Sequence, residues 1–171
     1  MEEIKQVQPD QIDDLIAISR ETFEATFGKD NTAENMQEFL DSSYNHDQLL
    51  TELETPGSSF WFLYVDGQVA GYLKLNVNSA QSERVDENAM EIERIYLKES
   101  FQHRGLGQKM MDFALNRARD LGKNPVWLGV WEHNENAKNF YARNGFTRFS
   151  QHTFVLGDDP QTDFLLKKNL D

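Results

Sequence analysis

Two short patterns in this chain carry residue types that do chemistry. The first is Gln102-His103-Arg104-Gly105-Leu106-Gly107, followed by Gln108, Lys109 and apolar residues at Met110, Met111, Ala114, Leu115, Ala118 and Leu121. That spacing predicts a helix running to Leu121. The preceding run, 91–97, is β-branched and aromatic with alternating polar positions, which predicts a strand. A glycine turn between strand and helix offers unpaired backbone N–H groups at a helix N-terminus, an arrangement suited to a phosphate. Gly105 and Gly107 remove side chains that would hold the anion away, and Lys98, His103, Arg104 and Lys109 add positive charge. A dinucleotide fingerprint would need glycine where Met110 stands, and a P-loop would need Gly-Lys-Ser/Thr, so both are excluded.

The second pattern is Asn134-x-x-Ala137-x-x-x-Tyr141-x-x-x-Gly145-Phe146. On a helix capped at Asn134, Ala137 and Tyr141 fall one turn apart on one face. The small residue allows close approach and the phenol stands beside that space, unless Tyr141 is simply a core aromatic.

The elements that must position these patterns follow from periodicity and punctuation. Residues 4–7 predict a first strand. Pro9-Asp10 opens a helix with Ile12, Leu15, Ile16, Ile18 and Phe23 on its apolar face. Thr32 is placed to cap a second helix, and 45–53 form a third, stopped by Pro56-Gly57. Strands at 59–65 and 69–77 flank the hairpin signal Asp66-Gly67, and 79–89 form a polar loop. Gly122 ends the long helix, 126–131 is a buried strand, and strands at 147–156 and 162–168 flank a turn at 157–160. The expectation is one α/β (α+β) domain over residues 1–171, with a mixed, mostly antiparallel sheet.

Composition narrows the function. The 171 residues include 17 Lys and Arg against 29 Asp and Glu, a net charge of −12. That argues against nucleic acid, whose phosphates need a basic face, and is compatible with a cationic substrate. There is no cysteine, which excludes disulfides, thiolate metal sites and a cysteinyl acyl-enzyme. His46, His103, His133 and His152 show no metal-ligand spacing, so no metal is expected; His103 adds a donor to the turn and the others are expected at the surface. No signal peptide or membrane-length apolar run is present, which points to a cytoplasmic protein without a membrane partner.

Gln-x-x-Gly-x-Gly between strand and helix resembles the pyrophosphate loop of the Gcn5-related N-acetyltransferase (GNAT) family. The Asn134–Tyr141–Phe146 pattern resembles that family's second signature, at the expected distance downstream. Further segments resemble the PaiA-type polyamine acetyltransferases of bacteria: Glu21-Thr22-Phe23, Gly71-Tyr72-x-Lys74, the 91–96 strand, Trp127-Leu128-Gly129-Val130-Trp131-Glu132, and Gly157-Asp158-Asp159-x-Gln161-Thr162-Asp163. One departure is Glu99, where many family members carry proline; its side chain is expected to face solvent.

The resemblance implies a GNAT fold with helices on both faces of a twisted sheet and a splayed central strand pair. It implies acetyl-CoA as co-substrate, a primary amine such as spermidine or spermine as acceptor, and direct attack in a ternary complex. By carry-over, Ile95, Tyr96 and Leu97 face the pantetheine, and the Leu97 N–H serves the oxyanion. Gln102, His103, Arg104, Gly105, Leu106, Gly107, Gln108 and Lys109 hold the pyrophosphate, Asn134 and Asn136 bond the pantetheine arm, and Tyr141 protonates the departing thiolate. The amine must lose a proton before it attacks. Glu93 is the expected base with Glu91 as substitute, both on one strand face unless a bulge intervenes. Trp127 and Trp131 share a strand face, where they either wall the site or pack in the core. Family members often dimerise, so a homodimer is one assembly the resemblance implies. Two other readings stay open: an acetyltransferase of proteins or peptides, and a non-catalytic CoA-binding module on the same fold.

Overall fold

A computed structural model describes residues 1–170. In chain order the elements are β1 (Glu2–Gln6), α1 (Ile12–Phe27), α2 (Ala33–Ser43), α3 (His46–Glu54), β2 (Ser58–Val65), β3 (Gln68–Val77), β4 (Met90–Leu97), α4 (Leu106–Asp120), β5 (Val126–Trp131), α5 (Glu135–Arg143), β6 (Thr147–Leu156) and β7 (Asp159–Lys168). Local chemistry sets most of the boundaries. Thr32 Oγ1 accepts from the Asn35 N–H at 3.1 Å, Asn45 Oδ1 from Gln48 at 2.8 Å, and Asn134 Oδ1 from Ala137 at 3.2 Å, so α2, α3 and α5 each begin on a side-chain cap. The β2–β3 hairpin turns through Asp66 (φ 49°) and Gly67 (φ 83°), two left-handed residues whose twist matches the strands.

The sheet runs β1-β2-β3-β4-β5-β7-β6. Every neighbouring pair is antiparallel except β4 and β5, which are parallel and pair only at Met90–Val126, Glu91–Trp127 and Ile92–Leu128. Two cores sandwich the sheet. One packs Leu63, Leu73, Ile92, Leu128 and Val130 against α4 and α5; the other packs Phe60, Phe62, Tyr72 and Trp131 against α1, α2 and α3. Phe23 and Phe27 are buried in the second core. Among the described residues, no helix is long and apolar enough to cross a membrane, and no group of three His, Cys, Asp or Glu is placed to hold a metal ion.

Besides one- or two-residue shifts, such as β1 starting at Glu2 rather than Ile4, two boundaries differ from those the sequence predicts. Leu121 is 43% exposed and sits past the last helical turn, because the apolar stripe closes at Ala118. The turn before β7 is shorter than expected: the strand resumes at Asp159, and Pro160 pairs with Val155. That proline lies beyond the last β7 residue paired with β5, Asp163, so its missing N–H interrupts no ladder on that side.

Candidate active site

Past Ile92 and Leu128 the two parallel strands separate, leaving a gap in mid-sheet. Which groups line it follows from the β3–β4 ladder. The Lys98 N–H donates to the Ala70 carbonyl at 2.9 Å, and Tyr96 and Arg94 follow in unbroken register opposite Tyr72 and Lys74. Alternation turns the backbone groups of Arg94 and Tyr96 toward β3 and those of Ile95 and Leu97 into the gap. A β-carbon at Gly71 would stand 2.5 Å from the Tyr96 carbonyl oxygen, as that orientation requires. Tyr96 therefore offers the gap no backbone group, a correction to the sequence reading; its phenol stacks on Tyr72, ring centroids 5.8 Å apart.

The glycine turn lies at the outer end of the gap. Gly105 is left-handed (φ 75°) and forms the N-cap of α4, where no side chain accepts from the first-turn N–H groups. His103 is left-handed as well (φ 63°). The donors of Leu106, Gly107 and Gln108 thus face outward beside the exposed Gln102, His103 and Arg104, a concavity suited to a diphosphate. Open space surrounds a β-carbon placed on Gly105, so glycine is needed there for its conformation rather than for room. Gln102 Nε2 donates to the Leu97 carbonyl at 3.3 Å, linking turn to strand. The Gln108 side chain bonds Asp112 and Asn144. Lys109 turns away to Glu2 on β1, 3.2 Å distant, which removes its charge from the turn. Glu99 is exposed, in line with the expectation from sequence.

Tyr141 is 7% exposed and its hydroxyl has no hydrogen-bond partner among the described residues. Burial raises its pKa well above the usual phenol value, so it stays protonated at neutral pH and has an O–H to give. Burial also raises Tyr96, reinforced by the nearby phenols of Tyr72 and Tyr141. The gap thus brings together one phenol from each face of the sheet. Asn134 uses its side-chain oxygen to cap α5, leaving its amide N–H groups for other partners, and Asn136 is exposed beside it.

Glu93 is the extra residue of a β-bulge: the register steps from Lys74–Arg94 to Leu75–Ile92. Its carboxylate lies 2.8 Å from Lys74 Nζ, 3.1 Å from Arg94 Nη2 and 2.8 Å from Asn76 Nδ2. Glu52 on α3 completes the network, 2.8 Å from Lys74 and 3.0 Å from Arg94. Burial pushes the Glu93 carboxyl upward, but the Arg94 and Lys74 cations outweigh it and hold the group below its ordinary range. Glu91 is more enclosed. Asn76 Nδ2 donates to it at 2.9 Å, and the Ser82 backbone N–H at 2.7 Å fastens the 79–89 loop to it; burial raises its pKa.

A second set of charges is not foreseen in the sequence. His152, expected at the surface, has its Nε2 3.2 Å from Asp163 Oδ2, and its Nδ1 contacts the Glu83 carboxylate. The only signal for it in the chain is an acid entering the apolar run Phe164-Leu165-Leu166. The pairing itself joins residues up to 69 positions apart.

The acetyltransferase (GNAT) family model matches residues 13–146, and the chain belongs to that family. Membership makes the protein an N-acetyltransferase with acetyl-CoA as its acetyl donor. A relative from Lactobacillus delbrueckii subsp. lactis, described as an uncharacterized N-acetyltransferase in the pepI 3′ region, is 63% identical over 98% of this chain and 96% of its own. The spermidine N(1)-acetyltransferase of Thermoplasma acidophilum is 23% identical over 97% of this chain and 96% of its own. The crystal structure of the PaiA N-acetyltransferase from Thermoplasma acidophilum in complex with coenzyme A superposes with a TM-score of 0.81 at 21% identity, covering 99% of both chains.

Proposed function

We propose that this N-acetyltransferase acetylates a small polyamine, spermidine or spermine being the nearest chemistry, by direct attack of the amine. The observation that carries the reading is the gap itself: backbone N–H groups of Ile95 and Leu97 turned into it, an uncapped helix N-terminus at its outer end, and carboxylates on its α1–α3 side. A net charge of −12 favours a cationic acceptor, and the distant spermidine N(1)-acetyltransferase relative agrees with that class.

In this proposal the turn from Gln102 to Gln108 holds the diphosphate of the donor through backbone N–H groups. Asn134 and Asn136 bond its pantetheine arm. Coenzyme A supplies an acetyl group activated as a thioester. The Leu97 N–H, with that of Ile95 on the same edge, stabilises the charge that develops on the acetyl oxygen. Tyr141 donates to the departing sulfur. Glu93, ionised at neutral pH, takes the proton of the acceptor ammonium through water; its two cationic partners make it a weak base, so the transfer depends on the amine being held close.

Steady-state assays with acetyl-CoA and a panel of spermidine, spermine, monoamines and lysine peptides test the reading. Turnover highest with the polyamines is the expected result. Turnover of peptides alone overturns the substrate class.

A further inference from the structure

Three strands side by side present Glu93 (β4), Gly129 (β5) and Asp163 (β7) on the sheet face that carries α1–α3. Gly129 is the first β5 residue beyond its last partner on β4. A β-carbon there would stand 3.7 Å from Asp163 Oδ2 and 3.6 Å from Leu165 Cδ2. The floor between the two acids therefore lacks a side chain. Their surroundings differ. Glu93 is bonded to Lys74 and Arg94, whereas Asp163 has no lysine or arginine partner among the described residues and is held only by His152. Burial, with Glu83 nearby, raises the Asp163 carboxyl against the lowering effect of His152, and the charge of Asp163 is felt by the Tyr96 phenol across the gap.

We propose that Asp163, oriented by His152, determines acceptor specificity by binding the second ammonium of a diamine whose reacting nitrogen lies at the β4 side of the gap. The proposal rests on the polyamine reading and adds the residue that would enforce it. Paired strands two places apart stand roughly 10 Å from each other at their backbones, a lower bound here because β4 and β5 part after Ile92 and Leu128; the Asp163 carboxylate lies over the bare Gly129, while that of Glu93 is held on the β3 side of β4 by Lys74 and Asn76. That span suits two cations joined by a short aliphatic chain, whose methylenes pass over Gly129 beside Leu165. A monoamine meets only one of the two acids. His152 is a positioning residue: with one ring nitrogen toward Asp163 and the other toward Glu83, it fixes the carboxylate and joins it to the 79–89 loop.

The test compares spermidine with butylamine, using the full chain. Calorimetric titration of spermidine without acetyl-CoA gives binding, and steady-state kinetics give KM for each amine. Asp163→Asn is expected to weaken spermidine binding about tenfold or more, the usual loss for a charge-assisted hydrogen bond, and to collapse the preference for spermidine over butylamine by the same factor. Gly129→Ala adds a methyl at ordinary contact distance, so it folds, and it is expected to produce the same selective loss in smaller measure. The inference is overturned if spermidine binding is unaltered, or if both amines suffer equally; should Asp163→Asn not fold, Gly129→Ala alone decides. A wild-type protein inert toward every amine overturns the polyamine reading as well. A wild type that acetylates spermidine alongside unaffected variants overturns this inference alone.

Discussion

At the scale of single residues, burial keeps the Tyr141 phenol protonated, while neighbouring cations keep the Glu93 carboxylate ionised. Tyr141 is buried without a charged neighbour, so its phenol keeps its proton far above neutrality. Tyr141→Phe preserves the packing against Phe140 and Phe146 and deletes one O–H. Turnover is expected to fall by about a hundredfold or more while acetyl-CoA affinity by calorimetry stays unchanged; equal losses in both would make Tyr141 structural. Glu93 is the opposite case. Its pKa lies below the ordinary 4.5 because of Arg94 and Lys74, so its ion pairs stabilise the fold fully above that value. The contribution is lost as pH falls through the lower, folded-state value. Glu93→Gln should therefore cost about 3 kcal/mol near neutrality, where it leaves two buried cations short of a partner. The difference in Tm from wild type should close in acid, and denaturation scans across pH measure it. A gap that widens in acid would contradict the assignment.

At the scale of elements, two glycines on the sheet have opposite tolerances. Gly129 has room for a methyl, whereas a β-carbon on Gly71 would meet the Tyr96 carbonyl at 2.5 Å and Leu97 Cδ2 at 2.9 Å. Gly71→Ala must therefore push β3 and β4 apart, at a cost of about 2 kcal/mol, as in other overpacked sites. Because β4 is the edge that carries the Ile95 and Leu97 donors, acetyl-CoA affinity should fall with stability; calorimetry on the folded variant reads this directly. The same contrast explains what is legible in the sequence. Thr32, Asn45, Asn134 and Asp66-Gly67 act within a few residues of themselves, so their elements can be read from the chain alone. The stripe on α4 and the two motifs give the fold class for the same reason. Parting of β4 from β5 after Ile92, the Lys109–Glu2 pair and the Asp163–His152–Glu83 set depend on which strands become neighbours. No local pattern encodes that. The bulge at Glu93 lies between these cases: strand alternation places the residue on the correct face and Arg94 is its neighbour in the chain, while its partner Lys74 on β3 and the link through both cations to Glu52 on α3 come only from the folded sheet.

At the scale of the whole molecule, charge would act on a polyamine acceptor and on acetyl-CoA in opposite senses. Part of the net charge of −12 lies around two surface cavities, in each of which the acids outnumber a single basic residue, Lys29 in one and Arg84 in the other. One, of about 490 Å³, is lined by Asp30, Asp158 and Asp159 where the connection from α1 to α2 meets the β6–β7 turn. The other, of about 680 Å³, is lined by Glu83, Asp86 and Glu87 in the loop after β3. Under the proposed function, a polycation approaching the gap would be drawn inward by this field, while acetyl-CoA would carry its phosphates against it and rely on the local donors of the α4 turn. Salt shortens the reach of both effects, from about 30 Å at 0.01 M to about 10 Å at 0.1 M. Raising ionic strength across that range should therefore increase KM for spermidine severalfold and leave KM for acetyl-CoA level or lower. Initial-rate measurements with each substrate varied in turn give the two slopes. Slopes of the same sign would mean that the acidic surface serves solubility alone and that the acceptor is not selected by its charge.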